Sequence, residues 1–379
     1  MDNTSVPIMD AKSVNKKILF IINDDNYLLS HRIDILNKAK KEGYKVYLLT
    51  NFTKHKKQLA KKFTSFNLNI DRSGSNVIKN FLCMIKVYLV IFRLKPSVVH
   101  TAGLIPMLIT GFVSFFFRTR FVYSISGFGF FQYKKNYNNF FNKIFYLTLK
   151  IIFLKKNIFV VCQNQHNINF LLKKKIIKKN KLKLIIGTGI NIKKNNKNVK
   201  KDSILLCTRL LWSKGIKDFV KCSIFFKKNN LQYKFILVGG ADYSNPNHVD
   251  QKYLEDLNNK KIIQWVGFKK NTKKYYDRAL VFLYPSLYGE GLPRVLIEAG
   301  ASSVPSVVYN IPGCQDIIKN EFNGFLVSKN NKVELFKRTL QIAKSNFLQK
   351  KFGKNAKELV KIKFNNYKIY SENKKLWQL

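Results

Sequence analysis

Short apolar runs that alternate with longer stretches mixing apolar and basic residues constrain this chain more than any other feature. The runs are "KILFII" (17–22), "KVYLLT" (45–50), "SVVH" (97–100), "RFVYSI" (120–125) and "IFVVC" (158–162). A strand covered by helices on both faces has no solvent face to make polar, so it reads as a nearly continuous apolar run. After "LIIGTGI" the stretch "NIKKNNKNVKKD" (191–202) interrupts the rhythm with almost no apolar residues. The rhythm then restarts at "SILLCT" (203–208), "KFILVG" (234–239), "KIIQWVG" (261–267), "LVFLYPS" (280–286) and "VPSVVY" (304–309). The pattern predicts an α/β protein of two Rossmann-like, doubly wound parallel-sheet domains, with ligands beyond the carboxyl ends of the strands and a cleft between the domains as the site. A length of 379 residues suits two such domains. The expected divisions are a disordered leader (1–15), an N-terminal domain (16–190), a linker (191–202), a C-terminal domain (203–355) and a C-terminal helical segment (356–379) returning to the N-terminal domain.

Charge is the second constraint: 69 Lys and Arg against 21 Asp and Glu give a formal +48. Three readings compete. Lys, Asn, Ile, Phe and Tyr crowd the whole chain, as AT-rich codon usage would produce, but that does not explain why acids are so few. Attraction to anionic lipid, about 1 kcal/mol per cation held near the surface, gives the excess a use. The Lys-rich segments 53–63 and 133–145 are the expected contacts. Nucleic acid is disfavoured, because the cations are smeared along the chain and no zinc finger, RRM signature or zipper accompanies them. Five cysteines lack CxxC spacing, which points away from zinc sites and disulfides and towards a reducing, cytoplasmic compartment. Residues 102–117 form an uncharged run too short to span a bilayer, read as a buried helix in preference to one dipping into the lipid interface.

The ends of the strands carry the chemistry. In "TRLLWSKG" (208–215), Arg209 and Lys214 follow a strand and suit phosphate oxygens, one as a planar fork and the other as a point charge. In "GEGLPRVLIEA" (289–299), Gly289 to Leu292 should form a loop and Pro293 the first helical residue, a site where backbone N–H groups and the helix dipole bind anions. Glu290 and Glu298 stand eight positions apart. A helix throughout would separate them by about 12 Å, close to the span between the ribose and the hexose of a nucleotide-sugar, and carboxylates accept well from vicinal hydroxyls. The plain alternative is a solvated Glu290 and an exposed Glu298. Against it, Glu298 lies in the otherwise uncharged "VLIEAGASSV", where an idle carboxylate is costly to bury. Weaker candidates share only their place at strand ends: Asp25, Ser30 and His31 in "NDDNYLLSHR", His100, Ser126 and Gly127 in "SISGFGF", and Asn164 in "QNQ". No GxxxxGK[ST], G-x-S-x-G or D-x-D motif is present, and Asp24–Asp25 has the wrong spacing for the last. The expectation is a cation-based leaving-group site with no cofactor and no metal.

At these residues the sequence resembles the retaining glycosyltransferases of family 4, which have the GT-B fold. The resemblance covers about residues 16 to 365. Its most specific part is the E-x7-E pair Glu290 and Glu298, followed by "VPSVVYNIPGCQDIIKNEFNGFLV". It implies Arg209 and Lys214 on the donor diphosphate, Glu298 on the ribose hydroxyls and Glu290 on the donor hexose. Gly291, Leu292, Arg294, Gly239 and Gly187 would complete the donor site. "SHR", "KPSVVH", "SGFGFF", "QN" and "LVGGADYSNP" resemble a bacterial subgroup that extends polyprenyl-diphosphate-linked sugars for O-antigen, capsule or protein glycans, with UDP-sugar donors. The implied partners are a nucleotide-sugar, a lipid-linked glycan taken by the N-terminal domain, and the anionic inner face of the cytoplasmic membrane, with no nucleic acid. Many members of the family carry His where this chain has Ser126. A GT-B-fold epimerase would share the domains but would want further acid–base residues, and a non-enzymatic basic scaffold would not need the E-x7-E helix.

Overall fold

The computed structural model describes residues 16–71, 76–128, 139–192, 199–243, 245, 247–289 and 291–378. The expected leader, the middle of the expected linker, part of the basic segment 133–145 and Glu290 lie outside these residues. The chain divides into two compact units, one of residues 1–185 with 369–379 and the other of residues 186–368.

The first unit is built on seven strands: β1 (Lys17–Asp24), β2 (Lys45–Asn51), β3 (Thr64–Asn67), β4 (Val98–Ala102), β5 (Arg120–Ile125), β6 (Ile158–Cys162) and β7 (Leu182–Leu184). They lie in the order β3-β2-β1-β4-β5-β6-β7, and every pairing is parallel. Two apolar layers flank the sheet. One holds the inner faces of the helices Val77–Leu94, Leu104–Ser114 and Asn139–Leu154 through Val87, Met107 and Leu149. The other joins the helix Ile33–Lys41, through Ile35 and Leu36, to Tyr370 and Trp377 near the C-terminus. Residues 102–117 accordingly form a largely buried helix, Leu104–Ser114, that leaves Phe112, Phe115 and Phe116 exposed around its end.

The second unit repeats the plan with six parallel strands: β8 (Ser203–Cys207), β9 (Lys234–Val238), β10 (Gln264–Trp265), β11 (Ala279–Tyr284), β12 (Ser306–Tyr309) and β13 (Gly324–Val327). The order is β10-β9-β8-β11-β12-β13. In each sheet the order reverses beside the first strand, between β1 and β4 and between β8 and β11, and the crevice at that reversal is where such sheets bind ligands. The fold class read from the alternating runs is therefore the one observed.

Candidate functional site

In the second unit the loops after β8, β9 and β11 bring most of the predicted donor residues to one edge of the sheet. β8 ends at Cys207, and Arg209 follows as an exposed side chain whose Nη1 lies 3.5 Å from Asp242 Oδ2 beyond β9. Lys214 closes the turn Trp212–Lys214 and is buried, with Nζ 3.5 Å from the Tyr284 hydroxyl at the end of β11. Gly215 makes that approach possible. It adopts a left-handed φ of +78°, and a Cβ there would stand 1.9 Å from the Pro285 carbonyl oxygen. Gly239 follows β9 in similar contact, since a Cβ would meet the Thr208 carbonyl oxygen at 2.0 Å. Its part is to let the loops after β8 and β9 close together.

After β11 the helix Arg294–Ala301 begins with Pro293 as its N-cap, one position earlier than the helical place expected for proline. Gly289 and Gly291 to Pro293 are therefore not helical, so the helix expected from Glu290 to Glu298 begins only at Arg294 among the described residues. Glu298 is half-buried between two donors. Arg294 Nε reaches its Oε1 at 3.1 Å, and the Tyr276 hydroxyl lies 3.3 Å from its Oε2. Burial, with the Glu298 charge adding to it, raises the pKa of Tyr276 well above its ordinary value, so that hydroxyl keeps its proton and shares it between Glu298 and the Val295 carbonyl, each 3.3 Å away. Burial, again with the Glu298 charge adding, also pushes the Cys207 thiol up to about 12.

Arg294 was expected at the donor. Its Nη1 instead donates to the Thr188 hydroxyl and the Gly189 carbonyl, both at 3.0 Å, so it ties Glu298 to the segment that enters the unit. Gly187 backs the same loop, where a Cβ would lie 3.0 Å from Leu292 Cδ2. Arg294 thus holds Glu298 in place, and Gly187 packs closely against Leu292. Among the described residues, no group of three or more His, Cys, Asp or Glu is arranged to hold a metal ion.

In the first unit the strand-end candidates fall at one edge of the sheet, but several are occupied by the fold. Asp25, expected to face the acceptor, is fully buried and accepts from the N–H groups of Thr53, Lys54 and His55 and from the Thr53 hydroxyl at 2.6 to 3.1 Å. Burial works to raise its pKa, but those hydrogen bonds outweigh it and hold the carboxyl below its usual value. His100 is buried, with Nδ1 accepting from Trp377 Nε1 at 3.1 Å and Nε2 2.8 Å from Ser124 Oγ. Both nitrogens are occupied, and burial, aided by the nearby Arg32 charge, drops its pKa to about 3. Asn164 is buried as the N-cap of the helix Gln165–Lys173, accepting from Asn167 N at 2.8 Å. Asp25, His100 and Asn164 are thus buried at the edge of the sheet and hydrogen-bonded within the fold.

Ser30 and His31 remain near the surface on a π-helical turn, Leu28–Arg32, a geometry frequent at functional sites. The Ser30 hydroxyl lies 2.7 Å from the Asn26 carbonyl and 2.6 Å from His31 Nδ1. Ser126 and Gly127 follow β5, half-buried. One residue was missed. Tyr276 has no local signal, since only folding brings it to Glu298. Arg32 stands in the quoted "SHR" and is buried, with Nε and Nη2 lacking hydrogen-bond partners among the described residues.

Comparison with known proteins adds to this geometry. Residues 17–164 match the family model "Glycosyl transferase 4-like" and residues 188–359 match "Glycosyl transferases group 1". The N,N'-diacetylbacillosaminyl-diphospho-undecaprenol alpha-1,3-N-acetylgalactosaminyltransferase of Campylobacter jejuni is 26% identical over 346 residues, covering 86% of this chain and 88% of that protein. The UDP-Gal:alpha-D-GlcNAc-diphosphoundecaprenol alpha-1,3-galactosyltransferase of Escherichia coli is 26% identical over 279 residues, 68% of each chain. Among solved structures, Anabaena HepE in complex with UDP superposes with a TM-score of 0.75 at 16% identity, covering 96% of this chain and 100% of that one. Such likenesses make the two-domain architecture the GT-B fold.

Proposed function

This chain belongs to the glycosyltransferases, its two halves matching the 4-like and group 1 families, and from that premise we propose that it moves a hexose or N-acetylhexosamine from a UDP-sugar to a hydroxyl of a polyprenyl-diphosphate-linked glycan. The anomeric configuration is retained. The product serves O-antigen, capsule or glycoprotein glycan synthesis, and the protein works as a peripheral enzyme on the inner face of the cytoplasmic membrane. The observation that carries the reading is Glu298, held by Arg294 and Tyr276, with Lys214 and Arg209 on the neighbouring loop. Named relatives support the acceptor class, since both act on diphospho-undecaprenol-linked sugars, and the UDP in the HepE structure supports the donor class.

In this mechanism Glu298 accepts from the ribose hydroxyls, and Glu290 takes the hexose. The bond between the anomeric carbon and the diphosphate breaks while the acceptor hydroxyl attacks from the same face, and its proton passes to the departing diphosphate oxygen. Arg209, Lys214 and the N–H groups from Gly291 to the start of the Arg294–Ala301 helix stabilise the charge gathering there, so no metal is required. Arg32, Ser30 and His31 are the first unit's choices for the acceptor. The test is calorimetric titration of UDP into the wild-type protein and Glu298→Ala. The reading expects tight binding that the substitution weakens at least about tenfold, the cost of a charge-assisted hydrogen bond. Equal binding by both proteins would place the nucleotide elsewhere.

A further inference from the structure

Three helices on one side of the first unit's sheet present apolar faces in two opposite directions. On the helix Val77–Leu94, Cys83, Val87 and Ile91 point into the core at every fourth position. Opposite them, Ile78, Phe81, Leu82, Ile85, Leu89 and Phe92 form a second stripe along the solvent side, with Ile78 75% and Leu82 59% exposed. The helix Asn139–Leu154 repeats this arrangement. Phe145, Leu149 and Ile152 face inwards, while Phe140, Ile144, Leu147, Ile151 and Leu154 face outwards. The helix Leu104–Ser114 lies between them. Gly111 lets it touch its neighbour so closely that a Cβ would lie 2.5 Å from Ile152 Cδ1. At its end Phe116 is 73% exposed and packs against Tyr88 of the first helix, with ring centroids 5.7 Å apart. Phe116 thus extends the first stripe, and the helix Leu104–Ser114 touches both of the helices that carry the stripes.

Folding does not need that surface. The inner faces fill the core, and the helix ends are closed by other groups: Asn76 accepts from Lys79 N, Lys155 Nζ caps the carbonyls of Ser114 and Phe117, and Lys181 Nζ caps those of Phe153 and Leu154. Exposed apolar area on this scale marks an interaction site. Charge identifies the partner. Lys79, Lys86 and Arg93 run at seven-residue intervals along the edge of the first stripe, and Lys143 and Lys150 along the edge of the second. None of the three helices carries an Asp or Glu. An open pocket lined by Phe115 to Arg118 and Lys155 to Asn157 sets further cations against aromatic rings. Two copies of such a face would repel each other, whereas an anionic headgroup layer over acyl chains matches both components.

We propose that the outer faces of the helices Val77–Leu94, Leu104–Ser114 and Asn139–Leu154 insert into the interface of an anionic bilayer, with the cation rows at headgroup level. No helix among the described residues is long and apolar enough to cross a membrane, so this face lies in the interface plane. The inference deepens the membrane reading above and gives it a surface other than the basic segment 53–63. That segment packs through Leu59 and Phe63 into the opposite layer of the sheet and exposes no large apolar side chain.

The test uses the full chain and vesicles of phosphatidylcholine with phosphatidylglycerol, 3:1, at physiological salt. Wild-type protein floats with these vesicles. The double substitutions Ile78→Ser/Phe81→Ser and Phe116→Ser/Leu147→Ser each lower the bound-to-free ratio at least about tenfold, as losing exposed apolar contacts demands. Phe116→Trp adds emission, relative to wild type, that brominated phosphatidylcholine in the vesicles quenches. UDP titration of every variant reads the other unit separately: unchanged nucleotide affinity with lost flotation supports the surface, and flotation without nucleotide binding would sink the donor reading alone. The proposal is overturned if wild-type protein fails to float, if the double variants float like wild type, if the added tryptophan is not quenched, or if the substitutions dissociate a dimer that never binds vesicles.

Discussion

Lys214 and Arg209 carry the same formal charge in very different surroundings. Lys214 is buried beside Tyr284, where a charge acts through little solvent, while Arg209 is 61% exposed and its contact with Asp242 is screened. Lys214→Ala should therefore lower turnover about a hundredfold, the scale of losing one preorganised electrostatic partner, with a smaller loss for Arg209→Ala. Near-wild-type turnover in Lys214→Ala would remove Lys214 from the leaving-group site. Asp25→Ala strands three backbone N–H groups and should cost about 2–4 kcal/mol in a urea unfolding series; a loss within error would mean the loop finds other partners. Both buried titratable groups make the fold acid-labile. His100 has its pKa lowered to about 3 in the folded state, so between the ordinary histidine value and about 3 only the unfolded chain takes up the proton, and stability falls as pH falls. The slope from this one group is about 1.4 kcal/mol per pH unit. The depressed Asp25 pKa adds a further loss below the ordinary carboxylate range. His100→Gln should flatten the decline between about pH 6 and 4, measured as urea midpoints; an unchanged slope would assign it to other groups.

At the scale of elements, every strand the apolar runs missed or misplaced lies at the edge of a sheet. β3, β7 and β13 gave no run, and "KIIQWVG" shrinks to the two-residue β10; these four strands end the two sheet orders. Central strands such as β5 and β6 fall on the residues the runs predicted, because burial on both faces is what produces the run. An edge strand lacks one neighbour and is kept short or polar, as in the "LKL" of β7. The connections after central strands carry their own signals. Gly215 is the sharpest: its left-handed φ and the contact with Pro285 predict that Gly215→Ala costs at least about 2 kcal/mol and displaces Lys214. Thermal unfolding together with UDP titration checks both effects, and wild-type values in either would show that the turn yields without loss.

For the whole molecule, +48 is a source of self-repulsion that few acids offset. Raising ionic strength from about 0.01 M to 0.15 M shortens the screening length from about 30 Å to about 8 Å, so the melting temperature should rise with salt by several degrees. A fall would mean that the surface ion pairs, such as Lys234 and Arg278 on Asp202, outweigh the repulsion. Vesicle binding moves the other way under the same change, because screening weakens the cation rows while leaving the apolar stripes intact.

What the amino-acid sequence determined by itself was the α/β architecture and the edge of each sheet where chemistry gathers, since both follow from local patterning: burial on two faces writes apolar runs, and the loops after them collect polar and glycine residues. Which of those polar residues the fold itself takes up was decided only by the tertiary structure. Asp25 is filled by partners about 28 residues on, Arg294 by Thr188 at a separation of 106, and His100 by Trp377 at a separation of 277. The second apolar stripe on the Val77–Leu94 and Asn139–Leu154 helices was equally hidden. A helix that is apolar all round reads as buried, and only packing shows which face the core leaves uncovered.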